Sequence, residues 1–110
     1  AMSFAVPAGA LSFWRRQLDA LGWRYGGPEP RDGGAALAFY DPAGLLVELV
    51  ERPGERRGSA SPRAEVPAAA AIVGLHGVTL TLAEAAPTAA LLAGQLGFRP
   101  APAEHAPQRY

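Results

Sequence analysis

The chain has 110 residues, enough for one domain with a modest core, and its ten basic side chains balance ten acidic ones. Because the net charge is zero, the protein has no electrostatic field that would favour binding to nucleic acid or to an anionic membrane. The sequence contains no cysteine, which excludes disulfides, thiolate metal sites and a thiol nucleophile. No apolar run approaches the roughly 20 residues of a membrane span and no signal peptide is visible, so we expect a cytoplasmic protein.

The chain begins with a predicted strand and helix. Ser3–Val6 is a short apolar run stopped by Pro7-Ala8-Gly9, which is typical of a strand followed by a turn. A helix face follows, because apolar residues recur at intervals of three and four: Leu11, Trp14, Leu18 and Leu21. Gly22 stands where a left-handed residue would end that helix.

Three further strands are predicted before residue 51. Trp23–Tyr25 is interpreted as a short strand and Gly26–Pro30 as a loop. Ala35–Tyr40 and Leu45–Val50 have the length and composition of strands. The intervening Asp41-Pro42-Ala43-Gly44 favours a type I turn and therefore a hairpin. The predicted element order of this half is β-α-β-β-β.

The second half is predicted to be a linker and an incomplete copy of the first. Residues 52–73 are polar and rich in Pro and Gly, which predicts a linker outside the core, with a little helix at Ala68–Ala71. An alternating strand is predicted at Val78–Leu82, and a helix from Pro87 to Gly97. Phe98-Arg99 is expected to begin another strand. The predicted organisation is a module at 1–51, a linker at 52–73 and a partial module at 74–110.

A repeated phrase supports two copies of one unit. Leu21-Gly22-Trp23-Arg24 returns as Leu96-Gly97-Phe98-Arg99, and both phrases end a predicted helix. Such a repeat indicates a chain built from one supersecondary unit. We expect about one and a half units of a longer arrangement.

Two motifs give a resemblance to a known superfamily. Phe39-Tyr40-Asp41-Pro42-Ala43-Gly44-Leu45-Leu46-Val47-Glu48-Leu49 and Gly74-Leu75-His76-Gly77-Val78-Thr79-Leu80 resemble the glyoxalase/bleomycin-resistance/extradiol dioxygenase group, the vicinal oxygen chelate superfamily. The resemblance implies an α+β fold of βαβββ modules, with a curved mixed sheet and one helix per module.

The chain is most similar to the ring-cleaving dioxygenase branch, whose members have four modules. It resembles module two followed by the front of module three. In that branch modules one and four supply much of the iron site, and those ligands have no counterpart in this chain.

Glu48 is the strongest candidate for a functional residue, because it is the one carboxylate in the apolar strand Leu45–Val50. A buried carboxylate must be protonated, paired or bound to a metal. The resemblance implies a metal ligand, since this final-strand Glu is a frequent ligand in the superfamily. The alternative is a strand-end Glu that reaches solvent or pairs with an Arg of the linker.

His76 is the second candidate ligand, because neutral imidazole is a common metal ligand and relatives often use this position. Together Glu48 and His76 offer two ligands, fewer than the 2-His-1-carboxylate set of non-haem iron. A hydrogen-bonded strand histidine is the alternative. The cofactor expected from the resemblance is a divalent metal, Fe(II) or Mn(II).

Three functional hypotheses follow. The first is part of a metal-dependent dioxygenase that cleaves a catechol or hydroquinone, in which the metal acts as a Lewis acid. The second is a binding protein that sequesters a small molecule, in which Tyr40 and Trp23 matter more than Glu48. The third is an incomplete module that assembles through unpaired strand edges as a homodimer or swapped assembly. The expected partner is a small aromatic substrate, without nucleic acid or membrane.

Overall fold

The computed structural model describes residues 1–31, 33–54 and 65–101. The elements in chain order are β1 (Met2–Val6), α1 (Leu11–Leu21), β2 (Tyr25–Arg31), β3 (Gly34–Tyr40), β4 (Leu46–Glu51), β5 (Gly74–Val78) and α2 (Ala86–Gly94). The predicted α+β class and the β-α-β-β-β order of the first half are confirmed. Two compact units are present, Ala1–Leu80 and Thr81–Tyr110.

The first unit is built on a five-stranded mixed sheet in the order β2-β3-β4-β1-β5. β1 lies parallel to β4, and the other three pairings are antiparallel. A parallel pair needs a long crossover between its strands. Here that crossover consists of α1 and the β2–β3 hairpin, so the first and last strands of the module meet at the centre of the sheet.

Helix α1 covers one face of this sheet and forms the core with it. Leu11 and Leu18 of the helix pack with Val6, Leu37 and Leu49 of three neighbouring strands. Partly buried aromatic side chains surround this cluster: Phe4, Phe13, Trp14, Trp23, Tyr25 and Phe39. Trp14 and Trp23 thus pack against the core.

Both ends of α1 are closed by specific contacts. Gly22 is left-handed, with φ of 70°. The Gly22 N–H donates to the Asp19 carbonyl at 3.1 Å and the Trp23 N–H to the Leu18 carbonyl at 2.9 Å, as in a Schellman motif. At the other end, Glu51 Oε1 accepts the Leu11 N–H at 3.2 Å, so a strand carboxylate supplies the acceptor that Ala10 cannot.

The predicted hairpin at Asp41–Gly44 is confirmed. The Gly44 N–H donates to the Asp41 carbonyl at 3.0 Å, and Gly44 is left-handed with φ of 84°. The Asp41 side chain also accepts the Leu45 N–H at 2.8 Å. This turn sets the β3–β4 register, which places Ala38 opposite Glu48.

The prediction of a loop at Gly26–Pro30 is wrong, because these residues lie within β2. Their two prolines and two glycines argue against a central strand. They are accommodated because β2 is an edge strand, and its register with β3 shifts between Gly26 and Glu29. The Gly27–Pro28 peptide bond is cis.

Residues 65–73 were expected to stay outside the core, and this is wrong for Ala70 and Ala71. Both are buried, and Ala70 belongs to the core cluster. The Trp14 indole N–H donates to the Ala70 carbonyl at 2.8 Å, which fixes the segment against α1. The apolar run Ala68–Ala71 thus contributes small side chains to the core. The middle of the predicted linker, residues 55–64, lies outside the described residues.

Both strands predicted in the second copy differ from the structure. The strand expected at Val78–Leu82 ends at Val78, and Leu80 and Leu82 are exposed. Phe98 is exposed and lies in no strand of the part described. No partner strand covers these residues within the described chain, so their alternation has no sheet to join. Residues 102–110 lie outside the described ranges, and the module boundaries stay predictions.

The repeated phrase has a left-handed glycine in both copies, but it ends a helix only in the first. Pro87 lies in the first turn of α2, as predicted, whereas the predicted helix end at Gly97 is wrong, because α2 ends at Gly94. Gly97 is left-handed with φ of 72°, close to the value at Gly22. Across the described residues, no helix is long and apolar enough to cross a membrane. The expected self-association stays a prediction.

Leu37 tests the position of the core. Its side chain is fully buried, so we expect Leu37→Ala to lower the free energy of unfolding by about 2–5 kcal/mol, through lost burial and a residual cavity. The matched control is Leu21→Ala at the exposed end of α1, with an expected change within about 0.5 kcal/mol. Equal losses in urea unfolding of the two variants would contradict this core.

Candidate functional site

The candidate site is centred on Glu48, which is buried, with 8% of its surface exposed. Its strand, β4, lies between β1 and β3 in the sheet. Ser3 of β1 and Ala38 of β3 stand opposite Glu48 in the two registers. Side chains of directly paired residues share a face, so Glu48, Ser3 and Ala38 lie on one face. Leu49, next along β4, points to the other face and joins the core under α1.

Both carboxylate oxygens of Glu48 have partners. The Ser3 hydroxyl donates to Oε2 at 2.6 Å, and Ser3 is itself buried. The Arg31 guanidinium donates through Nη2 to Oε1 at 2.8 Å and forms a salt bridge. Hydrogen bonds to an ionised group are shorter and stronger than neutral ones. The contacts therefore satisfy a buried carboxylate that would otherwise be costly.

Arg31 reaches Glu48 across β3, because the β3 residues between them on this face are small. Arg31 is paired with Gly34 at the β2–β3 turn, while Glu48 is paired with Ala38. Gly34, Ala36 and Ala38 alternate along β3 and so share the face that carries Glu48. None of them extends beyond a methyl group. These three residues therefore place no large side chain between Arg31 and the Glu48 carboxylate.

Gly34 itself cannot be enlarged. A Cβ at this position would lie 2.1 Å from the carbonyl oxygen of Glu51. Real Cβ atoms do not approach backbone oxygens so closely, which makes glycine the required residue at this start of β3. The absence of a side chain at Gly34 lets the hairpin end that carries Arg31 lie close against β4.

The strength of the ion pair follows from its unequal burial. The Arg31 side chain is 40% exposed, whereas that of Glu48 is 11% exposed. Exposed pairs contribute about 0–1 kcal/mol, whereas breaking a fully buried pair costs about 3–5 kcal/mol. The Arg31–Glu48 pair lies between these limits, because solvent screens the guanidinium while the carboxylate is largely desolvated.

The second candidate, His76, lies on β5, close to the paired residues Ser3 and Glu48. β5 pairs with β1 so that Gly77 is opposite Ser3 and Leu75 is opposite Phe4. The register skips His76, which is half-buried at this irregularity. Two strand spacings separate Gly77 from Glu48, about 10 Å between their Cα atoms. Metal ligation by Glu48 and His76 stays a prediction.

The described donors do not amount to a complete metal site. No group of three His, Cys, Asp or Glu residues that could hold a metal occurs in the part of the chain described. A cation beside Glu48 would also meet the Arg31 guanidinium, and like charges 4 Å apart near a protein surface repel by roughly 4 kcal/mol per unit of charge. The residues present therefore fit an internal ion pair better than a divalent metal.

Other residues considered in the sequence contribute less here. Tyr40, a candidate for ligand contact, is exposed at the end of β3. Arg31 was not recognised as a functional residue, because its strand was interpreted as a loop. Asp32-Gly33 was the available signal, since Asp-Gly between two strands is typical of a two-residue hairpin. In the structure Arg31 is paired with Gly34.

Comparison with known proteins gives the same answer in sequence and in structure. The chain is 36% identical over 96 residues, 87% of its length, to a Bacillus subtilis (strain 168) protein named as a ring-cleaving dioxygenase, MhqO. It also matches the crystal structure of a protein from the same species named as a dioxygenase, with a TM-score of 0.82 and 33% identity over 99% of the chain.

The chain resembles one section of a dioxygenase. It spans 30% of the curated relative and 34% of the chain in the crystal structure, about a third of each. No family model matches the sequence. The match to the crystal structure confirms the fold expected from the sequence motifs, a βαβββ module.

Ser3 provides a test of the carboxylate's surroundings. We expect Ser3→Ala to lower the free energy of unfolding by about 1.5–3 kcal/mol, because it removes a 2.6 Å hydrogen bond to a buried ionised group. Ser12→Ala is the control, since the Ser12 hydroxyl donates at 3.0 Å to the Gly9 carbonyl in an exposed position. Chemical denaturation in which Ser3→Ala is no worse than Ser12→Ala would count against this assignment.

Proposed function

We propose that this chain is one section of a ring-cleaving dioxygenase of the vicinal oxygen chelate superfamily, acting on a catechol or hydroquinone. The observation that carries the proposal is similarity over nearly the whole chain, in sequence and in fold, to proteins named as dioxygenases. The motif at Phe39–Leu49 supports the superfamily, and it corresponds to the β3–β4 hairpin that positions Glu48.

In this proposal the reacting metal, Fe(II) or Mn(II), is held by other sections of the whole protein. When bound there, it would supply Lewis-acid activation of the substrate oxygens and of dioxygen. The described residues support this division of labour, because Glu48 already has Arg31 and Ser3 as partners. The contribution of this section is a rigid sheet whose face opposite α1 carries a neutralised acid.

A second candidate function is non-catalytic binding of a small aromatic molecule by the same fold. The pairing of Glu48 with Arg31 favours it, because the described residues of this section contain no group of three metal-binding side chains. Such a section can bind a ligand without turning it over. The two candidates differ in whether dioxygen is consumed. They agree on the fold and on the class of ligand.

Oxygen consumption by the full-length protein separates the candidates. With Fe(II) or Mn(II) and a hydroquinone or catechol, we expect uptake of about one dioxygen per ring opened, with both atoms of labelled dioxygen recovered in the product. Glu48→Gln is expected to keep this activity within about threefold, because in this proposal other sections of the protein hold the metal. Calorimetric binding of the same compounds without oxygen uptake would favour the sequestering candidate and overturn the enzymatic one.

A further inference from the structure

We propose that the Arg31 guanidinium takes, beside Glu48, the place that a divalent cation would occupy, so that Glu48 is the anion of a built-in ion pair. This inference concerns the section itself and does not depend on the reaction of the whole protein. It assigns Arg31, which the sequence motifs do not include, as the residue that decides whether this carboxylate can bind metal.

The first argument is the use of the carboxylate's lone pairs. The Arg31 Nη2 group lies 2.8 Å from Oε1 and the Ser3 hydroxyl lies 2.6 Å from Oε2. Each oxygen therefore already accepts a hydrogen bond, and a metal ion that coordinates Glu48 would have to share an oxygen with one of these donors. Within the described residues, no buried side-chain nitrogen or oxygen lacks a hydrogen-bond partner, so this arrangement leaves no buried polar atom that calls for an additional ion.

The second argument is that the path of Arg31 is built into the sheet. The chain places Gly34, Ala36 and Ala38 on the face that the side chain must cross. The hairpin from which Arg31 extends lies so close to the Glu51 carbonyl that Gly34 cannot carry a side chain. The Arg31 guanidinium is a persistent partner of Glu48, because strand pairing holds the backbone of β2, from which it extends, and of β4, which carries Glu48.

The third argument is charge. Glu48 is largely desolvated and requires a positive partner, which a metal or an arginine can supply. Arginine remains charged at every accessible pH and presents N–H donors that match a carboxylate. Once it is present, a second cation is repelled. Removal of Arg31 should therefore leave a carboxylate that accepts a metal, with His76 on the strand beyond β1 as a neighbouring donor.

The test compares manganese binding and melting temperature in five forms of the protein after chelator treatment. These are the wild type, Glu48→Gln, Arg31→Ala, Arg31→Lys, and the double variant Arg31→Ala/Glu48→Gln. The probe is MnCl2, and bound manganese is measured by equilibrium dialysis. Any metal held elsewhere in the protein cancels, because only the Glu48-dependent difference is used.

We expect the wild type and Glu48→Gln to bind the same number of manganese ions. Arg31→Ala should melt roughly 5–10 °C below the wild type, and saturating MnCl2 should recover at least about half of that loss. The recovery should be absent from the double variant. Arg31→Lys, which keeps a cation beside Glu48, should show no Glu48-dependent response to manganese.

Two results would overturn the inference. One is the loss of a bound manganese ion when Glu48→Gln is made in the wild-type background, which would make Glu48 a metal ligand. The other is a folded Arg31→Ala variant whose stability manganese does not raise. If Arg31→Ala fails to fold, the comparison of wild type with Glu48→Gln decides the question alone.

Discussion

The parallel pairing of β1 with β4 is the constraint on which the rest of the first unit depends. It brings Ser3 beside Glu48 on one face of the sheet, while Val6 and Leu49 meet α1 on the other. These strands are separated by the helix and a hairpin in the sequence, so one pairing closes the whole module. The β1–β4 pairing therefore contributes both to the apolar core and to the surroundings of Glu48, the only buried acid of the described residues.

The two faces of β3 show how one short sequence serves both purposes. Leu37 and Phe39 point into the core. On the other face, Gly34, Ala36 and Ala38 present no side chain larger than a methyl group. Larger residues on that second face would separate Arg31 from Glu48. The composition that gives the strand little apolar surface there is what permits an ion pair to form across it.

The sequence predicts the module well where patterns are local. The spacing in α1, the left-handed Gly22 and the turn at Asp41–Gly44 each follow from short-range rules and agree with the structure. The second strand was predicted at Trp23–Tyr25 instead of Tyr25–Arg31, because proline and glycine argue against strands. Edge position overrides that tendency only once the sheet exists. The exposed residues after Val78 were misassigned for a related reason, since alternation predicts burial only when another layer is present.

Glu48 could be singled out from the sequence, but its partner could not. An acid in an apolar strand signals a special environment, whereas the identity of the counter-ion depends on registers across three strands. The resemblance favoured a metal, and the structure supplies an arginine from a strand that had been interpreted as a loop. The error in β2 and the omission of Arg31 thus have one cause.

The most direct test of the account is a double-mutant cycle between Arg31 and Glu48, using Arg31→Met and Glu48→Gln and urea unfolding of all four forms. The account predicts a coupling free energy of about 1–3 kcal/mol, because the two side chains touch in a partly desolvated site. Additive effects within about 0.5 kcal/mol would show that Glu48 is stabilised by something other than Arg31, and would contradict the account.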